Sequence, residues 1–231
     1  MKISNLRKDF GDFSLNIEQL DIAGNQINGI IGPNGCGKTT VMKIMAGLVC
    51  PDSGDVDYQG LTQRDITMIF RKPYLLHDTV MRNLTYPLTL RGIKPDQAQL
   101  EHYLEIAGLG EFRHKYAPSL SGGQQQKLAL IRAFIFSPKL ILIDEAFSNM
   151  DIESVAFFEE YILNMQRNSP ITWVIISHQI SSIKRLCNHV YFMYNGSIEV
   201  EGSPEVILRQ SGNENLQRYL RYSGFPFTLA E

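Results

Sequence analysis

The chain has little cysteine, no long apolar run and no excess of charge of either sign. Its three cysteines, Cys36, Cys50 and Cys187, form neither a disulfide framework nor a metal-binding spacing, which fits a reduced, cytoplasmic compartment. No hydrophobic stretch approaches the roughly 20 residues that a membrane span needs. If the protein works at a membrane, another subunit does the spanning. Lys and Arg total 22 against 24 Asp and Glu, a net charge of −2, so no global field draws the chain to nucleic acid or anionic lipid. Any anion must be bound locally. Internal repeats, low-complexity linkers, heptad runs and basic stripes are also missing, which argues against coiled-coil and nucleic-acid functions. The opening MKISNLRKDF is charged too early for a signal peptide.

What is present suits an α/β protein. At 231 residues, 44% of them hydrophobic, the chain can bury one large core or two small ones. Phe13, Leu15 and Ile17 alternate like a half-buried strand. Short strands are expected at 28–31, 54–58 and 66–70. Val41, Ile44, Met45 and Leu48 fall on one helical face, with Gly47 near its end. Residues 79–115 read as a helical insert, in which Pro95 opens a helix and Gly108 stops it. The stretch after Lys127 is apolar on nearly every face, as in a buried helix. The unbroken runs 140–143 and 171–176 suit central parallel strands, and a helix near 152–167 joins them. Asn195-Gly196 marks a hairpin, and Ser203-Pro204-Glu205 starts a terminal helix.

Three places carry chemistry. The first is Gly32-Pro33-Asn34-Gly35-Cys36-Gly37-Lys38-Thr39, which fits G-x-x-x-x-G-K-[ST] between an expected strand and an expected helix. Glycines let successive N–H groups turn toward phosphate oxygens, and the helix that follows aims its dipole at the same point. Lys38 suits the β- and γ-phosphates, Thr39 suits Mg²⁺, and Thr40 adds a hydroxyl donor. Cys36 reads as a small residue rather than a redox centre. The second is Asp144-Glu145, where an apolar strand ends in two carboxylates. They are either a solvated strand end or a pair facing a magnesium nucleotide, with Asp144 on the metal and Glu145 polarising the attacking water. His178 ends the next strand, where ligands of open α/β sheets gather, although a lone histidine is more often structural. The third is Ser121-Gly122-Gly123-Gln124, either a second anion-binding helix start or a plain serine cap. Two such helix starts with one complete loop fit a two-fold dimer in which each chain closes the other's site.

These residues together resemble the ATP-binding subunits of ABC transporters, over nearly the whole chain. GPNGCGKTT resembles the Walker A motif, LSGGQ the family signature, LILIDE Walker B, Ser148 to Asp151 the D-loop and His178 the switch histidine. Phe10 stands where the family stacks an aromatic on adenine. The resemblance implies a P-loop NTPase core with a mostly parallel sheet flanked by helices, an N-terminal antiparallel β subdomain and an inserted helical subdomain. The expected division is 1–71 with 137–231 for the core and 72–136 for the insert. It also implies ATP and Mg²⁺ as ligands, a head-to-tail homodimer with Asp151 and Ser121 to Gln124 at the shared sites, and a transmembrane permease that holds the subunit at the cytoplasmic face. An importer with an extracytoplasmic solute-binding protein is the expected setting, and TVMRNLTYPLTLRGI is similar to importers of tungstate-type oxyanions. An exporter ATPase and a soluble or regulatory ABC ATPase with weak turnover are the alternatives. Tyr74, Leu75, Leu76 and Tyr86 either dock the permease or pack internally.

Two residues depart from the pattern. Ala146 replaces the usual proline after the carboxylate pair, with little effect expected. Arg71 stands where the family places a metal-facing glutamine. Arginine has five donors and no acceptor, so it cannot ligate the metal. It points to solvent, reaches the γ-phosphate, or weakens catalysis. Lys72 beside it reads as a solvated charge.

Overall fold

The computed structural model describes residues 1–209 and 212–223. The strands, in chain order, are β1 (Lys2–Asp9), β2 (Ser14–Asp21), β3 (Ile27–Ile31), β4 (Ser53–Asp57), β5 (Ile66–Ile69), β6 (Leu140–Asp144), β7 (Thr172–Ile176), β8 (His189–Tyr194) and β9 (Ser197–Gly202). The helices are α1 (Lys38–Met45), α2 (Val80–Arg91), α3 (Gln97–Ile106), α4 (Gly122–Phe134), α5 (Ile152–Asn168), α6 (Ile180–Leu186), α7 (Pro204–Arg209) and α8 (Glu214–Tyr222). β2, β1 and β4 form an antiparallel sheet, and the second sheet runs β5-β6-β7-β3-β8-β9. All pairs in the second sheet are parallel except β8 with β9. This is the mixed, mostly parallel architecture that the sequence implied.

The larger sheet separates two apolar layers. Ile141, Ile143, Trp173 and Ile175 point to a layer shared with α2 to α8. Leu140, Leu142, Val174 and Ile176, from the same strands, point to a layer shared with α1 and the antiparallel sheet. Strands that bury both faces need unbroken apolar runs, which is why β6 and β7 were legible. Residues between β5 and β6 supply α2, α3 and α4, and their apolar faces join the first layer without a break. No helix among the described residues is long and apolar enough to cross a membrane.

Several local expectations shift. Strand β1 did not stand out, because its buried residues Ile3 and Leu6 are three apart rather than two or four. A positive φ of 49° at Asn5 and a register shift between Ser4 and Arg7 account for that spacing. Leu48 lies beyond the end of α1 and is 59% exposed, because the chain turns at Gly47 with φ 68°. Pro95 does not open α3. The cap is Asp96, whose side chain accepts the Ala98 N–H at 3.2 Å, so the proline sits one residue before it. Gly108 does end that segment, with φ 63°. The expected terminal helix starts as α7, with Ser203 Oγ accepting the Val206 N–H at 3.4 Å, but α8 follows it. The end of the expected 137–231 segment, residues 224–231, lies outside the described residues.

Candidate nucleotide site

Strand β3 is fully buried and delivers the chain to Gly32 at the C-terminal edge of the sheet. There φ is 151°, and a Cβ at Gly32 would meet the Met193 carbonyl at 2.1 Å, so only glycine fits. Five residues on, Gly37 forms the N-cap of α1 with φ 104° and supplies no side-chain cap. The first N–H groups of α1 are therefore left for a ligand. The buried Lys38 ammonium donates to the carbonyls of Gly32 and Pro33, both at 2.8 Å. Cys36 is packed at 4% exposure, and burial pushes its thiol up from the ordinary value. That fits the reading of a small residue without redox function.

Asp144 ends β6 at 5% exposure. Thr39 Oγ1 donates to its carboxylate, 2.9 Å from Oδ2 and 3.1 Å from Oδ1. Burial raises the Asp144 carboxyl above its usual range. The Thr39 hydroxyl pulls it down, the adjacent Glu145 charge pushes it up, and Lys43 and Lys38 lower it. A carboxylate and a hydroxyl in contact, beside an uncapped helix N-terminus and an ammonium, match a magnesium-bound polyphosphate in both donor type and charge.

Glu145 follows in the left-handed region, φ 51°, with its N–H donating to the Ile176 carbonyl at 3.0 Å. This turn lifts the side chain off the strand and toward β7. Glu145 Oε1 lies 2.6 Å from His178 Nε2 and Oε2 lies 3.3 Å from Arg71 Nη1. Arg71 thus takes a position that the sequence reading did not foresee, on the catalytic candidate itself. Lys72 is exposed, as expected of a solvated charge. A cavity of about 230 Å³ is lined by Asn34, Gly35, Gly37, Lys38, Thr39, Thr40 and Glu145, which brings the loop and the second carboxylate together.

The other candidates lie apart from this cavity. Phe10 is 52% exposed and stacks on Phe13 with ring centroids 6.4 Å apart. Phe13 in turn packs at Gly37, where a Cβ would meet its ring at 3.0 Å. Ser121 Oγ accepts the Gln124 N–H at 3.3 Å, and Gln124 Oε1 accepts the Ser121 N–H at 3.0 Å, a capping box on α4. Asp151 caps α5 by accepting the Ser154 N–H at 2.8 Å, and the Ser154 hydroxyl and N–H hold its carboxyl below the ordinary range. Among the described residues no hydrogen bond or cavity joins Ser121, Gly122, Gly123 or Gln124 to the phosphate loop of the same chain.

Two contacts escaped sequence reasoning. Gln126 is fully buried in α4 and donates to the Phe70 carbonyl at 3.3 Å. Arg132, a turn and a half later, donates to the Tyr74 carbonyl at 2.6 Å. Gln126 at the edge of the apolar stretch of α4, and Arg132 inside that stretch, were the available signal.

Residues 15–148 match the family described as ABC transporter. The chain belongs to the ABC transporter ATP-binding family. A tungstate uptake system ATP-binding protein of Peptoclostridium acidaminophilum, TupC, is 38% identical over 208 residues, spanning 87% of this chain and 97% of the relative. A Fe(3+) ions import ATP-binding protein of Photorhabdus laumondii, FbpC, is 34% identical across 100% of this chain and 69% of its own length. A solved ATP-binding subunit of an ABC transporter shares the fold at TM-score 0.83 and 22% identity, over 96% of this chain and 98% of that one. A dimeric ATP-binding cassette in a post-hydrolysis state with ADP and Pi reaches TM-score 0.77 at 26% identity, over 88% and 98%. This ABC protein is an ATP-hydrolysing, energy-coupling subunit that takes ATP with Mg²⁺.

Proposed function

We propose that this ABC ATPase powers the import of a small oxyanion of the tungstate type. The observation that carries the reading is the 38% identity to a tungstate uptake subunit over 97% of that relative's length. The chain works as a homodimer on the cytoplasmic face, held there by a transmembrane permease that receives its cargo from a solute-binding protein. Residues 1–71 and 137–231 form the nucleotide core, and 72–136 form the helical subdomain.

Within the core, Lys38 exchanges its loop carbonyls for phosphate oxygens, and the Gly32 to Thr40 backbone cradles the phosphates. Thr39 and Asp144 hold the magnesium, which neutralises charge on the phosphate oxygens when bound. Glu145 accepts a proton from the attacking water, and His178 orients its carboxylate through the 2.6 Å contact. Phe10 supplies a face for adenine. Ser121, Gly122, Gly123, Gln124 and Asp151 serve the site of the second copy, which accounts for their distance from the loop of their own chain.

A groove of about 280 Å³ supports the docking role. Phe70, Tyr74, Leu76, Tyr86 and Phe136 line it between β5, α2 and α4. Tyr74 and Tyr86 are 71% and 43% exposed, whereas Leu75 packs on the core. The first two and Leu76 fit a permease contact, and Leu75 fits internal packing.

The test is ATP turnover of the subunit assembled with its permease in lipid vesicles. Binding protein loaded with tungstate is expected to stimulate turnover more than the same protein presented with sulfate or Fe³⁺. Stimulation by iron alone overturns the oxyanion reading.

A further inference from the structure

We propose that Arg71 is a positioning residue that latches Glu145, and that turnover requires this pair to open. The inference rests on the reading of Glu145 as the general base. In the structure both oxygens of that carboxylate are engaged, Oε1 by His178 at 2.6 Å and Oε2 by Arg71 at 3.3 Å. With one such group on each oxygen, fewer of the roughly four lone-pair sites of the carboxylate are open to a water. Arg71 holds the carboxylate through donor groups alone. It has no acceptor, so it cannot replace a metal-facing glutamine. The latch opens by movement.

The surroundings of Arg71 supply the lever. It lies directly after β5, on a short segment that α4 grips at both ends. On the near side Gln126 Nε2 donates to the Phe70 carbonyl at 3.3 Å. On the far side Arg132 Nη2 donates to the Tyr74 carbonyl at 2.6 Å. Phe70 and Tyr74 also meet edge to face, with centroids 5.3 Å apart. Displacing α4 from the sheet thus drags the Arg71 backbone, while Glu145 stays anchored to β7 through the Ile176 carbonyl. The Arg71 side chain is 67% exposed and that of Glu145 12%, so the contact is half in water and open to rupture. Since Ser121 caps α4, the latch couples the LSGGQ end of that helix to the catalytic carboxylate of the same chain.

Two measurements test this on the full chain. The first is steady-state ATP turnover. Arg71→Gln and Arg71→Ala are expected to raise kcat about two- to fivefold, with KM for ATP kept within about twofold. Arg71→Lys, which keeps the charge without the planar fork, falls between them and the parent. An unchanged or lower kcat overturns the latch. A lower kcat with a raised KM overturns it too and assigns Arg71 to the nucleotide. The second measurement needs no turnover. Trypsin must capture the Arg71 side chain to cut before Lys72, and Pro73 protects the next bond. In protein without nucleotide, Glu145→Gln is expected to raise cutting at Arg71 about two- to fivefold relative to other sites. Equal cutting in parent and variant overturns the pairing. Undiminished ATP hydrolysis by Glu145→Gln sinks the base assignment instead, whatever the Arg71 variants do.

Discussion

Glu145 is held by its backbone as well as by its side chain. A left-handed residue other than glycine costs about 1–2 kcal/mol, and here it turns the carboxylate from the strand end toward His178 and Arg71. Removing the charge while keeping the shape is the clean probe. Glu145→Gln is expected to lower ATP turnover at least about 100-fold, the usual worth of a positioned base. Binding of a fluorescent ATP analogue stays within about threefold of the parent, because the phosphate loop is untouched. Lys38→Ala is expected to show the opposite pattern, losing analogue binding itself, since its buried ammonium lies on the loop carbonyls Gly32 and Pro33. Equilibrium titration of both variants separates the two roles. Lys38, Thr39, Asp144 and Glu145 were legible because local spacing at strand ends encodes them. The Arg71 contact was not. Its partner is remote in the chain, and the sequence records only that an acceptor is missing where one was expected.

At the scale of elements, the entry to β5 shows how a short motif fixes a strand. Thr62 N–H and Oγ1 donate to Asp65 Oδ2 at 2.9 and 2.7 Å, and Lys139, just before β6, lies 3.0 Å from Asp65 Oδ1. These contacts close a 3-10 turn, Gln63–Asp65, and tie the starts of two neighbouring parallel strands. The Thr62 hydroxyl and N–H, then Lys139, depress the Asp65 carboxyl to about 2 from an ordinary 3.8. A depressed carboxylate stabilises the fold above its unfolded value, and that stability is lost as pH falls through the folded value. Asp65→Asn is therefore expected to lower the thermal midpoint at neutral pH by about 2–4 °C, the loss of one good cap in a chain this long. The gap between parent and variant should close as pH falls from about 4 to about 2. A midpoint difference that persists at low pH rules out the charge as its source. Regular elements such as β6 and β7 were readable from unbroken apolar runs, and α4 from being apolar on nearly every face after Lys127. β1 was not, because its bulge at Asn5 breaks the period, and the six-residue α7 carried caps without revealing that α8 followed.

Across the whole molecule, the C-terminal edges of β3, β6 and β7 bring the phosphate loop, the two carboxylates and His178 to one rim of the sheet. The start of α4 carries the same kind of phosphate-facing chemistry without reaching that rim. Ser121 and Gly122 are exposed, and a Cβ on Gly122 would meet nothing within 4 Å. Close by, Gly123 faces the Asn149 carbonyl, and after Asp151 the chain presents Ile152 at 88% exposure. A small, open helix start beside an exposed isoleucine suits a second copy better than solvent. The decisive variant carries Glu145→Gln, which preserves bound ATP, together with Ser121→Arg. Size-exclusion chromatography with MgATP is expected to give dimers for Glu145→Gln alone and monomers for the pair of substitutions, because the added bulk and charge block the partner's phosphates. Analogue binding to each phosphate loop stays unchanged, since Ser121 does not touch the loop of its own chain. Dimers that persist with Ser121→Arg would place the contact between copies elsewhere on the surface and leave the LSGGQ serine as a helix cap alone.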